Sequence, residues 1–90
     1  MLQTVSILIT GKVQGVFYRK SARDQALTIG LTGQVRNLTD GSVQAIATGE
    51  PEQLESFIVW CKQGPPRAVV SNVTVSELEL QLFKKFEIVR

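Results

Sequence analysis

A chain of 90 residues, 43% hydrophobic and 20% charged, is sized for one modest core and is too apolar to be disordered. Its single cysteine excludes an intramolecular disulfide, and the absence of histidine removes both a common zinc ligand and the commonest general base near neutral pH. The net charge of +2 is uneven: residues 1–36 carry five basic groups against Asp24 alone, residues 37–90 five basic against seven acidic, so the N-terminal part suits an anionic ligand. No apolar run approaches the roughly 18–20 residues needed to span a membrane, and no basic residue precedes Lys12, so no signal peptide is read. The expectation is one cytoplasmic domain over residues 1–90, with no membrane partner.

Residues 4–10 alternate, with Val5, Ile7 and Ile9 in one phase, and predict a strand. The segment Gly11–Arg19 follows as a loop. Residues 20–31 predict a helix with Ala22, Ala26 and Ile29 on one stripe and Gly30 near its end. Residues 33–38 and 42–48 predict two strands joined at Thr39-Asp40-Gly41, where Asp-Gly signals a hairpin and Asp40 serves the turn. Pro51 opens a second helix whose Leu54, Phe57, Ile58 and Cys61 share a face, with Cys61 as a small buried hydrophobe; Gly64-Pro65-Pro66 ends it. Val-rich residues 68–75 predict a fourth strand. The apolar phase changes near Ser76, as a bulge or bend would produce, and residues 86–89 predict a short final strand. The order βαββαβ plus a short C-terminal strand gives a ferredoxin-like α/β (α+β) sandwich, with both helices on one sheet face.

The most specific stretch is Gly11-Lys12-Val13-Gln14-Gly15-Val16-Phe17-Tyr18-Arg19, which joins a strand to a helix start. Glycines there let successive N–H groups converge into an anion-binding nest. Arg19 and Lys20 oppose the dipole at that helix start by about 0.3–1 kcal/mol each, a penalty that a bound phosphate reverses; Arg19 can chelate two of its oxygens. The plain alternative is a glycine loop followed by solvated basic residues. It is not a Walker A loop or a Rossmann fingerprint, and no acidic cluster implies magnesium. Asn37 stands where a strand runs into a turn; alone, it reads equally as a turn residue bonding its own backbone.

GKVQGVFYR resembles the acylphosphatase signature: glycine, any residue, VQGV, one residue, an aromatic and arginine. GQVRNLTDGSV is similar to that family's second signature, with its asparagine at Asn37 and a glycine at Gly41. The spacing of the two also fits, as does the later Gly64-Pro65…Ala68, so the resemblance covers nearly the whole chain. Two positions depart from it. Tyr18 stands where phenylalanine is usual, adding a hydroxyl near the loop. Gln34 replaces an aromatic, on the strand face opposite Val35 and Asn37.

The resemblance implies the same sandwich and hydrolysis of small acyl phosphates. It implies that Arg19 holds the phosphoryl group, that Asn37 orients the attacking water, and that the amides of Gln14, Gly15, Val16, Phe17, Tyr18 and Arg19 bind phosphoryl oxygens. Carboxylate is a good leaving group, with a pKa near ~4–5, so no general acid is required. No metal or cofactor is expected. The partners are the acyl phosphate and the product phosphate, with no nucleic acid, and the chain is expected to be a monomer. Three alternative readings stand beside this one. One is a non-catalytic phosphate-binding or regulatory module on this fold, which loss of Arg19 or Asn37 would favour. Another is an RNA-binding domain, whose nearest motif, Gly15-Val16-Phe17-Tyr18, lies in a loop. The last is a domain of a larger maturation protein, against which a complete fold ending at Arg90 is set.

Overall fold

The computed structural model describes residues 1–90. Its elements run β1 Gln3–Lys12, α1 Tyr18–Ile29, β2 Thr32–Asn37, β3 Val43–Gly49, α2 Pro51–Gln63, β4 Val69–Leu78 and β5 Phe86–Ile88. The strands form one sheet in the order β4-β1-β3-β2-β5. β3 lies antiparallel between β1 and β2, β4 pairs antiparallel with the outer side of β1, and β5 runs parallel to β2. This is the ferredoxin-like α+β sandwich expected from the element order.

Alternation places Val5, Ile7 and Ile9 on the same face as Ala47, Ala45 and Val43, their partners on β3, and as Val35 on β2. All seven are buried, and both helices pack on that face through Ala22, Ala26, Leu54, Phe57 and Cys61. Tyr18 and Phe57 are the largest fully buried side chains, each of the kind worth about 1.5–3 kcal/mol on leaving water. Asn37 pairs with Val43 and so stands at the end of this buried row. β1 and β2 are parallel across β3, so their C-terminal ends reach the same edge of the sheet, where α1 begins.

The element boundaries shift in places. α1 begins at Tyr18, two residues earlier than the stripe of small residues indicates, and closes at Ile29 with Gly30 left-handed at φ 100°. β4 runs on to Leu78 in unbroken register with β1, so the phase change near Ser76 is not a bulge. The chain instead leaves the sheet after Leu78 and folds back: the Gln81 N–H donates to Thr4 Oγ1, and its carbonyl accepts from Thr48 Oγ1 at 2.7 Å. Leu80 and Leu82 therefore obey no strand phase. The irregular step lies at the other end, where Thr10 faces Asn72 but Gly11 faces Val70, leaving Ser71 unmatched. A Cβ at Gly11 would come within 2.2 Å of the Val69 carbonyl oxygen, so the bulge requires glycine there. No helix is long and apolar enough to cross a membrane.

Candidate active site

The connection from β1 to α1 turns on two left-handed residues, Gly15 at φ 74° and Phe17 at φ 64°. Val16 between them is buried and pins the loop to the core. The N–H groups of Gln14, Gly15, Val16 and Phe17 find no backbone acceptor within the chain. The first turn of α1 adds its own unfilled donors, because the helix has no side-chain cap and no acidic residue in its first turn. α2 is built the opposite way: Glu50 and Gln53 form a reciprocal capping box, Pro51 sits at the first position and Glu52 follows. One helix start is thus closed by its own side chains, while the other presents bare donors and carries Arg19, Lys20 and Arg23.

Arg19 is half-buried and enters no ion pair, whereas Lys20 pairs with Asp24 at 3.6 Å. Arg19 and Asn37 line one cleft of about 320 Å³ together with Gly15 and Phe17, near the lower end of the ~300–1,000 Å³ usual for small-molecule sites. The amide oxygen of Asn37 is buried without a hydrogen-bond donor. A turn residue bonding its own backbone would not be left so. The turn is held by other groups: the Ser42 N–H donates to Asp40 Oδ1 at 2.9 Å, the Ser42 hydroxyl donates to the same oxygen, and the Leu38 N–H donates to the Ser42 carbonyl at 2.8 Å. The Ser42 hydroxyl first, and then its N–H, lower the Asp40 pKa below its ordinary 3.8. Asp40 therefore serves the turn, as the Asp-Gly signal indicates.

Of the loop residues singled out from sequence, Gly15, Phe17, Tyr18 and Arg19 line the cleft, whereas Gln14 and Val16 do not. The Gln14 side chain crosses to the β2–β3 turn, where its Nε2 donates to the Leu38 carbonyl at 2.8 Å and the Ser42 carbonyl at 2.9 Å. That tie between the loop and the turn that follows Asn37 has no local sequence signal. The expectation for Tyr18 is corrected: its hydroxyl is not at the loop. As the first residue of α1 it points between the helices, donates to the Cys61 carbonyl at 2.7 Å and sets its ring 5.4 Å from that of Trp60. Burial raises the pKa of Tyr18 above its ordinary value and pushes Cys61 up to about 12. Val13, Lys20, Ile88 and Arg90 also line the cleft. Ile88 and Arg90 arrive only because β5 pairs with β2, with the Val89 N–H donating to the Val35 carbonyl at 2.9 Å. No group of three or more His, Cys, Asp or Glu side chains is placed to hold a metal ion.

Fold and cleft together define a small ferredoxin-like protein with an uncapped helix start, a free arginine and an unpaired asparagine oxygen on one sheet edge. The sequence profile of the acylphosphatase family matches residues 5–88. An acylphosphatase from Acaryochloris marina is 55% identical over 92% of this chain and 89% of its own length. The structure of an acylphosphatase from Coxiella burnetii superposes with a TM-score of 0.95 at 38% identity, covering 98% of this chain and 93% of that one. The acylphosphatase from Bacillus subtilis gives 0.95 at 35% identity over the whole of both chains. The chain belongs to the acylphosphatase family and is an enzyme of that hydrolase class.

Proposed function

We propose that residues 1–90 act as a single acylphosphatase domain that hydrolyses the carboxyl–phosphate bond of small acyl phosphates, with Arg19 and Asn37 as the catalytic residues. The observation that carries this reading is the pairing, in one cleft, of a free guanidinium beside unfilled N–H donors with a buried carbonyl oxygen that lacks a donor. The first set offers what a phosphoryl group needs; Asn37, whose side chain has no partner of its own, borders the same cleft and is free to orient a water there. A buried acceptor left unpaired costs about 1–3 kcal/mol, and a non-catalytic phosphate-binding module would have no use for it.

In this mechanism the amides of residues 14–19 and the Arg19 fork hold the phosphoryl oxygens where negative charge is concentrated in the transition state. The Asn37 side chain orients a water in the cleft so that a lone pair faces phosphorus in line with the leaving oxygen. The new P–O bond forms as the bond to the carboxylate oxygen breaks; the electron pair leaves with the carboxylate, and a phosphoryl oxygen takes the water's proton. Products are a carboxylate and inorganic phosphate. No histidine base, general acid or metal is called for. The reading includes no nucleic-acid or membrane partner and takes the working form to be a cytoplasmic monomer, in keeping with a free thiol at Cys61.

Phosphate release from benzoyl phosphate, measured in EDTA, tests this. Turnover should persist in the chelator and gain nothing from magnesium. Binding of inorganic phosphate without turnover would identify a binding module instead, and activity that disappears in EDTA and returns with magnesium would overturn the metal-free step.

A further inference from the structure

Phe17 combines two unfavourable features. It is the only non-glycine residue with a positive φ, at 64°, a region that bulky L residues avoid. Its ring is also 68% exposed and belongs to neither the core cluster nor any of the aromatic pairs. The loop holds a left-handed residue here, and glycine would supply that conformation without strain. The ring thus contributes nothing to the fold. It lines the cleft, however, in company with Val13 and Ile88, and its own backbone N–H is among those without a backbone acceptor.

We infer that the Phe17 ring is the acyl-group subsite of this enzyme and that it selects acyl phosphates with aromatic or bulky apolar acyl groups over acetyl phosphate. This rests on the acyl-phosphate reading above. The carboxyl carbon of the substrate is one bridging oxygen away from phosphorus. A group held by the amide of Phe17 therefore projects its acyl substituent past the side chain of the same residue. A flat apolar substituent there covers the exposed ring and is itself removed from water; a methyl group covers little. Strain at a functional loop is maintained where the side chain it displays is used.

The test is the ratio of kcat/KM for benzoyl phosphate to that for acetyl phosphate, in the wild type, Phe17→Ala and Phe17→Gly, together with the melting temperature of each. The wild-type ratio should exceed one, and both variants should lower it about tenfold, the effect of losing roughly 55 Å² of apolar contact. Phe17→Gly should melt at or above the wild type, because it relieves the left-handed strain; a purely structural phenylalanine would lower the melting temperature and leave the ratio unchanged. A ratio unaltered in both variants, with both substrates turned over by the wild type, overturns the inference alone. A wild type that hydrolyses neither substrate removes the acyl-phosphate reading, and the inference with it.

Discussion

At the first turn of α1 two cations, Arg19 and Lys20, oppose the helix dipole, and only Lys20, like Arg23 a turn later, has Asp24 as a partner. Arg19 has none, so an anion in the cleft is its natural complement. Arg19→Ala should lower kcat/KM by roughly 10²–10³-fold or more, the scale of losing one oriented transition-state donor, and weaken competitive inhibition by phosphate. Arg19→Lys should also be poor, since a point charge cannot replace a planar fork. Kinetics of the two variants check this; near-normal turnover in Arg19→Ala would move the site elsewhere. Arg19 and Asn37 both sit at element ends, where a glycine loop or an Asp-Gly turn marks the position, but position alone left the plain readings open, and only the resemblance of the two linked signatures singled them out. Tyr18 is not legible in the sequence. Its role depends on whether α1 starts one residue before Arg19 or one after, and only the earlier start directs its hydroxyl to the Cys61 carbonyl.

At the scale of elements, the loop and the β2–β3 turn are separate in sequence and joined by one side chain. Gln14 donates both hydrogens of its amide to the carbonyls of Leu38 and Ser42. Gln14→Ala should lose about 1–3 kcal/mol of stability for the two bonds and lower kcat more than it raises KM, because the loop and Asn37 lose their shared register. Gln14→Glu should be worse on both counts, since a carboxylate would face two carbonyl oxygens with nothing to donate. Melting and steady-state kinetics on the pair decide; a Gln14→Glu protein with wild-type stability and turnover would show that the tie does not position the site. The strands and helices themselves follow from periodicity, whereas this crossing tie does not, because a local pattern contains no information about which turn a glutamine will reach. The bulge at Gly11 escapes for the same reason: it belongs to the pairing of β1 with β4, not to either strand alone.

For the whole molecule, one sheet brings residues 13–20, 37 and 88–90 to one edge. The C-terminal part of that edge was hidden in the sequence, because a strand of three residues gives no register until it is paired with β2. The same sandwich buries Cys61 completely, and that burial pushes its thiol up to about 12, so a thiol reagent at pH 8 should label the chain only as fast as it opens, and fully after denaturation. Labelling of the native protein at the rate of a free thiol would contradict the packing of α2. The claim on which the account turns is that Asn37 orients water and does not hold the fold or the phosphate. The decisive measurement is kcat for benzoyl phosphate in Asn37→Ala, taken with phosphate inhibition and melting temperature on the same sample. A large fall in kcat, with KM and phosphate inhibition near wild type and the fold intact, is the expected result. A variant destabilised by about 1 kcal/mol, as for a lost turn residue, but with full turnover per folded molecule would contradict it.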